Sequence, residues 1–255
     1  MRKSLLFALC GLSFYLITGI AAADESSVTN TAVPVTSNNI DDKYVQNILS
    51  SQNEKAFDKL LAEGLDVNSR DASGNTMLFY TLTHNKDLYM SRKLIEAGAD
   101  VNAPSTNGMT PLLVATSKAN ELQLQKMMLA SMEIDAAPEE VEKKIEEQIH
   151  YEMNRAIAMT QMLIEHGADV NQETPMGTPL MNAATSDWNL DIIEILLEGG
   201  ADINQQDKDG RTALFYAFTF KCDEVITLLI KSGADVSIKD KAGRTYLEVE
   251  TADFK

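Results

Sequence analysis

One short stretch recurs five times in this 255-residue chain, and the recurrence constrains the fold more than any other feature. It reads LDVNSRDASGNTML at 65–78, ADVNAPSTNGMTPL at 99–112 and ADVNQETPMGTPL at 168–180. It returns as ADINQQDKDGRTAL at 201–214 and ADVSIKDKAGRTYL at 234–247. The aspartates Asp66, Asp100, Asp169, Asp202 and Asp235 are spaced 34, 69, 33 and 33 residues apart. A fixed period near 33 describes one supersecondary unit that cannot bury its apolar face alone, so stability comes from stacking on neighbours.

Each copy joins the end of one helix to the start of the next. Gly98, Gly167, Gly200 and Gly233 follow Ile/Leu-rich helical runs, where a glycine closes the last turn. A polar hairpin follows. Thr76, Thr110, Thr178, Thr212 and Thr245 then stand as N-caps, with Pro111 and Pro179 at the first helical position. Leu78, Leu112, Leu180, Leu214 and Leu247 are expected to point into the seam between repeats. Ala115, Ala183, Ala184 and Ala217 let the inner helices approach closely.

Over residues 40–255 this pattern resembles the ankyrin-repeat family. The resemblance implies an all-α solenoid of helix-turn-helix repeats joined by β-hairpin loops. It divides the chain into an N-terminal capping repeat (40–70), repeats at 71–103, 104–172, 173–205 and 206–238, and a C-terminal half-repeat cap (239–255) that ends in one last helix. The family's histidine position holds Phe79, Leu113, Met181, Phe215 and Glu248, so its histidine-centred bonds between hairpins must be absent or replaced. The third hairpin is one residue short.

The spacing of 69 marks about 36 extra residues in the second full repeat, roughly 118–154. Their pattern is helical. Leu122, Leu124, Met127, Met128 and Leu129 precede a break at Asp135–Pro138, and Val141, Ile145, Ile149, Met153, Ala156 and Met159 follow at spacings of three or four. Both helices of this repeat are therefore expected to extend as a helical hairpin projecting roughly 25 Å beyond its neighbours. Eight acids and only Lys143, Lys144 and Arg155 lie between 133 and 155. The segment reads either as a partner-gripping arm or as methionines packing two arms together beneath a solvated acidic face.

Residues 1–23 read as a signal peptide. Arg2 and Lys3 precede the apolar run Leu5–Ile20, and Ala21-Ala22-Ala23 precedes Asp24, with cleavage expected between Ala23 and Asp24. No stable membrane insertion is expected afterwards. Residues 24–39 read as a flexible linker. Removing Arg2 and Lys3 takes the net charge from −16 to −18. That balance disfavours nucleic acid and favours a basic partner. Cys222 alone remains in the mature chain and has no internal partner for a disulfide.

His84, His150 and His166 form no metal-spaced cluster, and no phosphate loop, dinucleotide fingerprint or nucleophile elbow occurs. The reading is a non-enzymatic module with no cofactor and no metal. In ankyrin arrays the hairpin tips and inner helices line a concave face. Carried over, this implies partner-binding positions at Tyr80, His84, Met109, Lys118, Arg211, Tyr216, Phe220 and Arg244. Trp188 lies in the loop of the third repeat, as surface anchor or packing residue. Exposed aromatics beside Arg and Lys have the composition of interface hot spots. The expected function is a periplasmic or secreted bacterial binding protein. It would be an immunity protein against a toxic effector such as a lipase, a chaperone-like accessory of a stress enzyme such as catalase, a host-directed binding protein, or a membrane-anchored scaffold.

Overall fold

The structure, a computed structural model, describes residues 43–84, 88–131 and 139–249. The expected signal peptide with its Ala23–Asp24 junction, the expected linker, Ile40 and the tail 250–255 lie outside the described residues. Among the described residues ten α-helices run in order: α1 (Lys43–Ser51), α2 (Glu54–Ala62), α3 (Met77–His84), α4 (Tyr89–Glu96), α5 (Pro111–Ser131), α6 (Glu139–Glu165), α7 (Pro179–Ala183), α8 (Leu190–Glu198), α9 (Ala213–Phe220) and α10 (Asp223–Lys231). Short 3-10 turns occupy Asp187–Asn189 and Tyr246–Glu248. Among the described residues the only β pairing is two isolated bridges, Arg70 with Thr76 and Thr174 with Gly177. This is the expected all-α solenoid of paired helices.

The helices form where the sequence caps them and bury the stripe that faces the neighbours. Asn53 caps α2, its side-chain oxygen accepting from the Ala56 N–H at 3.1 Å, and Phe57 and Leu60 go fully inward. Thr76, Thr110 and Thr178 accept from the N–H of Phe79, Leu113 and Met181 at 3.1–3.2 Å. Thr212 makes no side-chain cap bond, and the Thr245 hydroxyl donates to Glu248 instead. Leu78, Leu112, Leu180 and Leu214 are at most 2% exposed, in the seams, and Ala115, Ala183, Ala184 and Ala217 are completely buried. Leu247 departs from its equivalents. It is 64% exposed, because no following repeat stacks against it among the described residues. Of the last helix expected there, the described residues hold the turn Tyr246–Glu248.

Hairpins stack tightly enough to dictate their glycines. At Gly210 φ is +80°, and an added Cβ would stand 2.9 Å from the Lys241 amide of the next hairpin. Asp71, Asp207 and Asp240 each accept two backbone N–H bonds of their own tip at 2.8–2.9 Å. The shortened third hairpin closes instead through Thr174, whose N–H and hydroxyl both donate to the Gly177 carbonyl.

Neighbouring hairpins are linked by asparagine. Asn68 donates through its amide nitrogen to the Gly98 carbonyl and accepts from the Asp100 N–H, at 3.0 and 2.8 Å. Asn102 does the same to Gly167 and Asp169, and Asn171 to Gly200 and Asp202. Asn204 accepts from the Asp235 N–H at 2.8 Å. In the final copy Ser237 holds this register, and its hydroxyl turns back to its own Asp235. Each rung contributes about 1 kcal/mol net per bond.

The second repeat carries the extended pair. α5 has 21 residues and α6 has 27, against 8 and 9 in the last described repeat. The excess corresponds to roughly 20 and 27 Å of added helix, in line with the projection expected from spacing.

Candidate partner-binding face and the root of the arm

Tyr80 and His84 sit one helical turn apart on α3, so their rings stack at 4.3 Å between centroids with 17° between planes. His84 Nδ1 is 2.7 Å from the Thr83 hydroxyl and 3.1 Å from the Tyr80 carbonyl. Burial pushes the His84 pKa below its ordinary value. The Tyr80 carbonyl opposes that shift, and the positive charge of Lys118 on α5 adds to it. Burial also raises the Tyr80 phenol. Lys118, half-buried, is held 3.0 Å from Glu121. Tyr80, His84 and Lys118 therefore form one cluster across the first two repeats.

A second cluster lies in the fourth repeat, and part of it is already engaged. The Tyr216 hydroxyl donates to Asp207 at 2.8 Å, and Asp207 also accepts from the Arg211 N–H. Burial, followed by that bond to Asp207, raises the Tyr216 pKa strongly. Tyr216 thus ties its inner helix to its own hairpin, and its ring is half-buried. Arg244 is likewise committed, its Nε and Nη2 donating to Asp240 Oδ2 at 3.1 and 2.9 Å. Phe220 ends α9 half-buried, and Met109 is half-buried in the second hairpin.

Cys222 precedes α10 and is 4% exposed, and burial pushes its thiol up to about 12. It is enclosed, which keeps the thiol from ready ionisation at neutral pH.

Trp188 belongs to a third group that sequence reasoning did not assemble. The Lys126 ammonium lies over its ring at 5.6 Å. Lys126 is on the lengthened part of α5, and the same stretch carries Asn120 and Gln123. Asn120 donates to the Asn182 carbonyl at 3.1 Å and to the Thr185 hydroxyl at 2.9 Å, and it accepts from Asn189 at 2.7 Å. Gln123 accepts from the Ser186 hydroxyl at 2.6 Å. Thr116 and Ser117 both reach Asn182 at 3.2 Å. The inner helix of the third repeat, α7, has only five residues, and the polar groups at its end are satisfied by α5.

The other side of the root is held by Arg155 on α6. Its residue is 8% exposed, its Nη2 donates to the Leu82 carbonyl near the end of α3 at 2.8 Å, and Glu152 lies 3.5 Å away. The arm is therefore fastened to the first and third repeats at once. Thr116, Asn120 and Gln123, recurring at spacings of four and three along the helix, were the available signal. Of the acids expected along the arm, Glu146 and Glu147 are exposed and Glu152 pairs with Arg155; the side chains of Glu133, Asp135, Glu139, Glu140 and Glu142 lie outside the described ones. Among the described residues no group of three or more His, Cys, Asp or Glu side chains is arranged to hold a metal, and no helix is long and apolar enough to cross a membrane.

The family model for ankyrin repeats (3 copies) matches residues 47–137 and 150–240. The break between the two matches falls on the start of α6. The structure is similar to the crystal structure of EF0377, an ankyrin repeat protein, with 25% sequence identity and a TM-score of 0.59, covering 80% of this chain and 87% of that one. No curated protein matches the chain.

Proposed function

Because the chain belongs to the ankyrin repeat family, whose repeats are protein-interaction modules, we propose that it is an exported, non-enzymatic bacterial binding protein that holds one partner protein between its concave face and its arm and blocks that partner's activity. The observation that carries this reading is the arm root. Arg155 on one side and Asn120 with Gln123 on the other fix two long helices against flanking repeats with bonds that no repeat needs for stacking. A preordered projection binds without the entropy cost of ordering a loop. On the concave side Tyr80, His84 and Lys118 offer an aromatic and cationic cluster of the kind that anchors interfaces.

The reading extends to a periplasmic immunity protein whose partner is a toxic effector such as a lipase. Export rests on Arg2, Lys3, the apolar run and the alanines before Asp24.

The test is affinity capture of the tagged protein from its native cell envelope, with the mature N-terminus sequenced from the same sample. One stoichiometric hydrolase whose activity falls when the protein is added, and a first residue of Asp24, are expected. Many substoichiometric partners, or a redox enzyme that is assisted, would replace inhibition with a chaperone-like role. A chain retaining residues 1–23 would overturn export by cleavage.

A further inference from the structure

Charge is sorted between the two rows of helices. On the outer row Asp191, Glu194 and Glu198 stand exposed on α8, which carries no cation, and Glu146, Glu147 and Glu165 stand exposed on α6. The turns that close the outer helices add the exposed carboxylates Asp66, Asp100, Asp169, Asp202 and Asp235. The inner row is different. α3, α7 and α9 hold no carboxylate. Glu121 on α5 is held against Lys118 at 3.0 Å.

The hairpins that lead into the inner helices lean the same way. Asp71, Asp207 and Asp240 turn an oxygen onto N–H groups of their own tips, Asp207 also accepts from the Tyr216 hydroxyl, and Asp240 also takes the Arg244 guanidinium. Glu173 and Asp209 are the tip carboxylates left exposed. Lys208 and Lys241 stand exposed at matching positions of the fourth and fifth copies and form no ion pair among the described residues. Their hairpins are joined by the Lys241 N–H, which donates to the Asp209 carbonyl at 2.9 Å.

We propose that the inner face takes an acidic segment of its partner protein, with carboxylates on Lys208 and Lys241 and apolar side chains on the half-buried rings of Tyr216 and Phe220, although the whole chain carries −16. Net charge governs attraction at a distance, but at contact the local arrangement decides which groups meet. A basic segment finds its carboxylates on the outer row and its turns, where an acidic one is repelled. At the inner face the acidic segment gives two unpaired ammonium groups their partners and meets no carboxylate on α3, α7 or α9. The inference rests on the binding function proposed above and supplies the chemistry of what is bound.

The experiment is fluorescence anisotropy of the full chain with a rhodamine-labelled glutamate–tyrosine peptide and, separately, its lysine–tyrosine counterpart. It is run at roughly 0.1 M salt, where a Debye length of about 10 Å lets local charges outweigh distant ones. The glutamate peptide is expected to bind. Lys208→Glu with Lys241→Glu should weaken it about tenfold and leave the lysine peptide unchanged or tighter. Lys55→Glu with Lys231→Glu makes the same change of net charge at exposed positions of the outer row and should have far less effect. Helical circular dichroism checks the fold of each variant, and Lys208→Gln with Lys241→Gln, expected to give a smaller loss, replaces the reversal if that disturbs the hairpins. A glutamate peptide that does not bind, or an outer pair that weakens it as much as the hairpin pair, would overturn the proposal. So would single-stranded DNA that displaces the peptide as readily as an unlabelled copy does, which would make the face a general polyanion site. Tighter binding in Glu250→Gln with Asp253→Asn would assign the face to the chain's own last residues and overturn it too. Affinity capture reads the whole molecule and the peptide reads this face, so a captured, inhibited partner beside an unbound glutamate peptide would sink this inference and leave the proposed function standing.

Discussion

The hairpin edge and the arm root use the same chemistry, amide side chains bonded to backbone groups of a neighbour, in opposite ways. Along the edge, Asn68, Asn102, Asn171 and Asn204 repeat one bond pattern from hairpin to hairpin. Each rung is backed by a seam of buried leucine. At the root, Asn120, Gln123 and Arg155 each occur once, in bonds that no other repeat reproduces. The difference teaches where substitution is costly. A periodic bond is one of several, whereas a single bond to a buried polar group leaves that group stranded when it is removed.

Substitutions can break that comparison. The largest effect is expected for Arg155→Ala, which removes a buried side chain and strands the Leu82 carbonyl. It should cost about 2–4 kcal/mol and lower the denaturant midpoint accordingly. Asn120→Ala should follow at about 2–3 kcal/mol, because its bonds to Asn182, Thr185 and Asn189 are lost together. Asn102→Ala, in the middle of the edge, should cost about 1–2 kcal/mol, and Asn204→Ala about 1 kcal/mol. If Asn102→Ala proved more damaging than Asn120→Ala in urea unfolding, the contrast between edge and root would be lost.

The smallest expected effect is one of pH. Burial alone would raise the Asp240 carboxyl, but the Arg244 backbone N–H and guanidinium outweigh it and hold the pKa below the ordinary carboxylate value. A lowered pKa contributes stability that is present above the unfolded value, about 3.9, and is lost as the pH falls through the folded one. The melting-temperature gap between the unmodified chain and Asp240→Asn should therefore be steady from neutral pH down to about pH 5 and close on further acidification. A gap independent of pH would mean that the aspartate holds its turn without its charge.

What was legible in the sequence follows the same division. The spacing of 33 placed the helices, the threonine caps, the buried leucines and alanines and the lengthened pair, because a pattern repeated five times carries its own controls. The family match at 47–137 and 150–240 agrees with that reading. Leu247 was misread for the same reason: its identity follows the period, but its surroundings depend on what comes next. The bonds of Tyr216 and Arg244 were not legible, because a sequence does not reveal that Asp207 and Asp240 lie within reach. The root was the least legible. Asn120 and Gln123 matter through Asn182, Thr185, Ser186 and Asn189, more than sixty positions away, and no period links them.

The double fastening of the arm also sets an order of events when the molecule comes apart. Arg155 reaches back to the first repeat and Asn120 reaches forward to the third, so three consecutive repeats are riveted into one block. The fourth repeat is joined to that block by ordinary stacking and by single bonds such as the Val225 N–H to Asp187 at 3.1 Å. Under tension, or during amide exchange, the array is expected to peel from its C-terminal side and then yield the riveted block in one step. Hydrogen exchange should show α9 and α10 opening well before α3, α5 and the Glu152–Glu165 part of α6, which should exchange together.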